Sequence, residues 1–359
     1  MENKTTEKLY SLDVLRGLAA ISIVFWHWQH FFYVGSAPNG IIYEKQPFFN
    51  LFWMLYKYGD LAVELFFCIS GFIFYWLYSS NIKSKKESAR NFFIKRFSRL
   101  YPLYLLTFLV VALLQYVYHK TNSSYFVYQF NDFYHAFLNI FMISGWGFES
   151  GWSFNAPVWS VSIEALLYAL FFITCKARIS GKIIIPLFIV IGFLTFPHNY
   201  KLGIGIFSFY CGAATFFFSK LITSRLHLLP RIMLSTSLLC ISWIIIIDQS
   251  KNNAFIITGL GFTSFILFLT TIDGFEKCHI FFKKVGWVGD ISYSSYLIHF
   301  PLQITFALAT QKIGFSRDIF YNDGVFIAFM LSLLTLSFIS YFYFETKSQN
   351  AIRKLTLQH

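Results

Sequence analysis

The chain has 359 residues, of which 56% are hydrophobic, 22% aromatic and only 13% charged, with a mean hydropathy of +0.56. An ordinary soluble domain carries about 25% charged residues, so these values exclude a soluble fold and indicate a membrane protein. The net charge of +12 would suggest nucleic acid in a soluble protein; here the basic residues sit in loops between apolar runs, where they report topology and argue for no nucleic-acid partner.

Apolar runs of about 17–25 residues, each long enough to span a bilayer, recur along the whole chain with short polar punctuation between them. The most basic loop, SSNIKSKKESARNFFIKRFSRLYP (79–102), belongs in the cytoplasm, and Lys4 and Lys8 place the N-terminus there too. Spans are then expected at 11–33, 59–79, 102–118, 157–175, 183–198, 201–219, 231–248, 254–272, 289–310 and 325–344. The resulting fold class is an all-α integral membrane protein, a single bundle of about ten transmembrane helices with N- and C-termini cytoplasmic.

This topology also puts KARISGK (176–182), SKLITSRLHLLPR (219–231), the loop 273–288 and KSQNAIRK (347–354) inside, with QKIGFSRD (311–318) a basic exception outside. FYHAFLNIFMISGWGF (133–148) is short, and counting it as a crossing would put KARISGK outside, so it is expected to be re-entrant or interfacial. The first apolar run lacks a small-residue cleavage site and reads as a retained helix. Cys68, Cys175, Cys211, Cys240 and Cys278 show no paired spacing, which argues against a disulfide framework and a metal site. With no internal repeat, one polytopic domain over 1–359 with no appended soluble domain is expected.

Ionisable residues at membrane depth are costly and usually face the bundle interior or a water-filled cavity. In LYSLDVLRGLAAISIVFWHWQHFFYV (9–34), Arg16 and His27 are separated by about 16 Å of helical rise and lie within about 20° of three full turns, so they share one face. Arg16 reads either as a side chain snorkelling to the cytoplasmic interface or as a grip for an anion there. His27 reads either as a satisfied structural histidine or as a neutral imidazole poised for proton transfer. His30 falls off that face and is assigned to the interface, and Asp13 is expected to pair with Arg16 or a neighbouring base without a chemical role.

Farther along, Arg96 and Arg99 are neighbours on a helix at i, i+3, with Lys95 beside them. They serve either topology or the binding of phosphate groups. Glu164, in WSVSIEALLY, is a carboxylate in an apolar segment that could orient an imidazole or form a structural ion pair. Glu345 closes the last span, and Glu64 lies within the second. Ser70-Gly71 and Ser292-Tyr293 suit close helix packing, and His299 reads equally as a pocket lining or a core hydrogen-bonding group.

The stretch SLDVLRGLAAISIVFWH resembles the opening signature of the membrane acyltransferase-3 family, an arginine, ten residues and a histidine, which Arg16 and His27 match without a gap. GDLAVELFFCISGFIF (59–74), FIKRFSRLYPLY (93–104), APVWSVSIEALLY (156–168) and GDISYSSYLIHFPL (289–302) resemble further family motifs in the family's order. The closing YFYFETKSQNAIRK (341–354) resembles its final acidic motif, with Lys347 where proline is common.

That resemblance implies a bacterial inner-membrane O-acyltransferase, acting on a hydroxyl of a cell-surface glycan such as O-antigen, capsule or exopolysaccharide. The donor it implies is cytoplasmic acyl-CoA, with acetyl-CoA the family's commonest, and no metal. It assigns catalysis to His27, Arg16 and Glu164, and donor binding to Arg16, Arg96, Arg99, Lys95 and Glu345. The partners implied are the lipid bilayer, the acyl-CoA and a glycan or lipid-linked glycan, with no nucleic acid. The alternative for a polytopic bundle with buried charges is a transporter or flippase, which often shows two corresponding halves; no such duplication is visible here.

Overall fold

The fold is that of a computed structural model, described for residues 8–249 and 253–357. In chain order it contains α1 (Tyr10–His27), α2 (Phe49–Tyr58), α3 (Ala62–Leu77), α4 (Ser79–Lys83), α5 (Ala89–Asn122) and α6 (Phe133–Ile140). Next come α7 (Trp159–Lys176), α8 (Gly181–Thr195), α9 (Tyr200–Arg225), α10 (Leu228–Gln249), α11 (Ala254–Ile256) and α12 (Thr263–Ile272). The chain continues through α13 (Glu276–Val285), α14 (Trp287–Asp290), α15 (Ser292–Ile313), α16 (Asp323–Ile339) and α17 (Thr346–Leu357). A 3-10 turn, Trp28–Phe32, succeeds α1 directly, and the strands β1 (Tyr33–Val34) and β2 (Ala37–Pro38) form a short antiparallel hairpin after it.

The all-α membrane class stands, and each expected span overlaps a helical segment, though fewer than ten of these are long and apolar enough to cross. Among the described residues, seven helical stretches are long and apolar enough to cross a membrane: Phe49–Leu77, Ala89–Asn122, Ala156–Lys176, Tyr200–Arg225, Leu228–Ile247, Ala254–Ile272 and Asp323–Thr356. Gly181–Thr195 is apolar but shorter. The segment at 133–148 contains only α6, whose eight residues rise about 12 Å, too little to cross. Asp132 caps it by accepting from the His135 N–H at 2.9 Å, a bond that holds the Asp132 carboxyl below its ordinary range. The irregular backbone beyond is tied to the start of α7, where Ser162 Oγ accepts from the Gly145 N–H at 2.9 Å and its carbonyl from the Trp146 indole at 3.0 Å.

Two compact units are interleaved in sequence. The first holds the described residues up to Ala19, Leu61–Ala89 and Ile163–Asp290. Its core is the crossing of α3 and α9, where a Cβ at Gly71 would overlap the Phe209 carbonyl and one at Gly212 would overlap the Cys68 carbonyl. With no hydrophobic drive between helices in lipid, such backbone approach supplies the packing energy. Gly71→Val is therefore expected to cost about 1–3 kcal/mol or more through overpacking, seen as a lower thermal midpoint of the purified protein.

The first half of α1 belongs to this unit. Its start is tethered by Ser11, whose N–H and hydroxyl both donate to Asp273 Oδ2 at 3.0 and 2.8 Å. Lys8 pairs with Asp13 at 3.0 Å and with Asp290 at 3.6 Å; burial opposes its charge, but these carboxylates raise its pKa above the ordinary value. Asp13 thus finds its base in Lys8, and Gly289 of the GDISYSS stretch has no room for a Cβ against the Asp13 backbone.

The second unit holds Ala20–Asp60, Arg90–Ser162 and the described residues from Ile291 onward. Its apolar core gathers Phe25, Trp28 and Phe31 with Phe108, Phe126, Phe300 and Phe329. Within it α5 and α15 run parallel. At one end the Tyr293 hydroxyl donates to the Leu100 carbonyl at 2.6 Å, and at the other Asn122 and Gln311 exchange two amide hydrogen bonds of 3.1 and 2.9 Å. Pro301 lies inside α15, and, lacking an N–H, it leaves the carbonyl one turn earlier without its helical partner. That carbonyl, of Leu297, accepts instead from the Asn155 side chain at 3.1 Å.

Candidate active site

α1 ends at His27, and the chain tightens into the 3-10 turn Trp28–Phe32. In α-helical geometry His30 would sit about 60° away from His27, whereas in a 3-10 turn residues three apart eclipse. His30 is accordingly drawn in beside His27, ring centroids 4.6 Å apart, and is 2% exposed. The interfacial assignment of His30 is corrected on this ground.

From α15 come His299 and Gln303, one turn apart and both fully buried. His299 Nε2 lies 3.0 Å from His27 Nδ1 and the two rings stack. His299 Nδ1 lies 2.6 Å from the Tyr296 carbonyl. A carbonyl only accepts, so this nitrogen carries the proton, and the Nε2 of neutral His299 is left to accept from His27 Nδ1–H. That fixes the tautomer of His27 and leaves its Nε2 unprotonated. His30 is occupied at both nitrogens, Nδ1 with Gln303 Oε1 at 3.1 Å and Nε2 with the Tyr128 hydroxyl at 3.2 Å. Gln303 also donates to the His27 carbonyl at 2.8 Å. These bonds engage both nitrogens of His30 and of His299 together with Nδ1 of His27, and among the described residues they leave out His27 Nε2.

The result is an imidazole base oriented by a third group, the logic of a catalytic triad with a neutral imidazole in the orienting place. His27, at 6% exposure, is almost enclosed.

The basic residues of the second unit lie on the first turns of α5, where Lys95, Arg96 and Arg99 are half-buried. α17 returns to this end: Arg353 donates to Ser98 Oγ and to the Lys95 carbonyl, both at 3.2 Å, and Arg90 to the Thr356 carbonyl at 2.7 Å. Glu345 accepts from Ser294 in the first turn of α15. Tyr293 thus pins α15 beside the basic turn, and His299 lies six residues, about 9 Å, farther along the same helix.

The other two sequence-derived residues are in the first unit. Arg16 is half-buried on α1, the unbroken helix that ends in His27. Glu164, on α7, accepts from Ser70 Oγ at 3.1 Å and from the Tyr168 hydroxyl. Sequence reasoning missed the roles of His30, Gln303, Tyr128 and Arg353. A signal existed for Gln303, which shares a helical face with His299 at i, i+4, but none linked either to His27.

A model of the Acyltransferase domain, acyltransferase-3 type, matches residues 9–344. Similar curated proteins include "Protein 2 in picA locus" of Rhizobium radiobacter, 32% identical over 112 residues that cover 31% of this chain and 48% of the relative. "Acyltransferase MdmB" of Streptomyces mycarofaciens is 27% identical over 169 residues, 46% of this chain and 38% of that protein. The matches thus span less than half the length of these relatives. No solved structure matches. With nearly its whole length matched and its long helices apolar, the chain belongs to the acyltransferase-3 family.

Proposed function

We propose that this acyltransferase moves an acyl group, in the first instance acetyl, from cytoplasmic acyl-CoA to a hydroxyl of a cell-surface glycan in a bacterial inner membrane. The observation that carries the reading is the 3.0 Å approach of His27 Nδ1 to His299 Nε2, which orients the ring and leaves Nε2 to take a proton. His27 removes the proton of the acceptor hydroxyl as its oxygen attacks the thioester carbonyl; the C–S bond breaks, and the thiolate of CoA leaves with the proton His27 has taken. Ester and free thiol are the products.

Lys95, Arg96 and Arg99 hold the phosphate groups of the donor, with Glu345 bonded to the α15 end of the same region. Arg16 keeps the donor-side role its motif position implies, and Glu164 that of an ordering carboxylate. The flexible arm of acyl-CoA then has about 9 Å of α15 to cover from the basic turn to the level of His299.

The test is transfer of label from acetyl-CoA to glycan by membranes holding the protein. Label retained in glycan supports the reading, and its absence with every acceptor and acyl-CoA tried overturns it. Uptake of unmodified acceptor instead assigns transport. Arg96→Gln with Arg99→Gln is expected to raise the acetyl-CoA KM about 10²–10⁴-fold, since each of the two charged hydrogen bonds is worth about 1.5–3 kcal/mol, while kcat changes little.

A further inference from the structure

At the end of the α5–α15 pair away from the basic turn, the second unit contains a cavity of about 230 Å³. Its floor is aromatic, from Phe31, Phe126 and Phe320, and its rim is polar, from Asn122, Gln311 and Arg317. Phe31 and Phe320 stack face to face at 3.7 Å at the base, and the exposed Phe315 ring supplies the aromatic wall of the lining. The Asn122–Gln311 amide pair keeps oxygen lone pairs and one Gln311 N–H, since Asn122 donates to Gln311 and to the Tyr118 carbonyl, and a guanidinium offers five donors in a plane. One Arg317 donor goes to the Tyr33 carbonyl at 2.6 Å, which fixes that plane at the mouth.

The distance from the basic turn is decisive for the side of the membrane. From Leu100 to Asn122 is 22 residues of α5, about 33 Å, the thickness of a bilayer core. The cavity therefore opens opposite the donor end, and it lies beside the histidines: Phe31 adjoins His30, and Phe126 packs on Phe300, whose ring meets His30.

We propose that this cavity anchors the acceptor and takes one residue of an anionic saccharide. The apolar C–H face of the sugar lies on the aromatic wall, its hydroxyls meet Asn122 and Gln311, and a carboxylate or phosphate substituent meets Arg317. At about 30 Å³ per water the space equals roughly eight waters, the scale of one sugar ring. Ala307, the lining residue of α15 nearest the histidines, is eight residues from His299, about 12 Å along the helix. A ligand that fills the cavity and also offers a hydroxyl to His27 is longer than one ring, so the acceptor is an oligosaccharide.

This inference rests on the acyl transfer proposed above. The test measures acetyl transfer by the full-length protein to an oligosaccharide bearing uronate, to one bearing phosphate and to a neutral oligosaccharide of the same length. Arg317→Gln is expected to raise the KM for the anionic acceptors 10-fold or more, with the acetyl-CoA KM held. Gln311→Ala, at an exposed position, raises the acceptor KM for neutral and anionic chains alike. Preference for uronate or for phosphate identifies the anion, and both preferences sit within the proposal. Wild-type transfer with an acceptor KM unmoved by either substitution, or no preference for charge, overturns it; no transfer by the wild type to any acceptor overturns the acyltransfer reading itself.

Discussion

His27→Ala is expected to reduce acyl transfer by about 10²–10⁴-fold, the range a positioned general base supplies, with the acetyl-CoA KM near that of the wild type. His30 offers no substitute, because both its nitrogens stay engaged, and His299 stays anchored through Nδ1 to the Tyr296 carbonyl, away from the position the His27 ring held. The substitution also spares the clamp on the turn, since Gln303 grips the His27 carbonyl and not its ring. Transfer rates read at equal protein level, with thermal midpoints in parallel, decide the matter: undiminished transfer would remove His27 from the mechanism.

The second large effect concerns His299, which touches His27 and not the reacting atoms. His299→Leu keeps volume but removes the acceptor for His27 Nδ1–H, freeing the ring to rotate and to change tautomer. A fall in kcat of about 10²-fold is expected, the scale of a general-base contribution lost in part, with little change in either KM. His299→Gln restores an acceptor oxygen near the former Nε2 and is expected to recover part of that loss. Equal activity of the two variants would show that only packing is at stake.

The fold is legible in the sequence where hydrophobic length decides it. Runs of apolar residues form helices, and the shortness of FYHAFLNIFMISGWGF marks a segment that does not cross, because eight helical residues span too little. The basic turn Lys95–Arg99 is legible through charge alone. His30 escapes the pattern because periodicity assumes one geometry throughout, and a switch to a 3-10 turn after His27 shifts every later side chain by about 20° per residue. The partnership of His27 with His299 joins residues 272 positions apart, a pairing set by how helices pack and not by any local pattern. Arg353 is hidden for the same reason, reading as one more cytoplasmic base until α17 folds back on α5.

Pro301 interrupts the backbone ladder of α15 between His299 and the residues of the same helix that line the cavity. The bond that replaces the lost one comes from Asn155, in the irregular stretch before α7. The alignment of the histidines is therefore shared with a loop: Asn155 holds the α15 carbonyl, and Trp152 packs on Tyr128, whose hydroxyl meets His30. A substitution at Asn155 is expected to displace the histidines without touching any residue of α15.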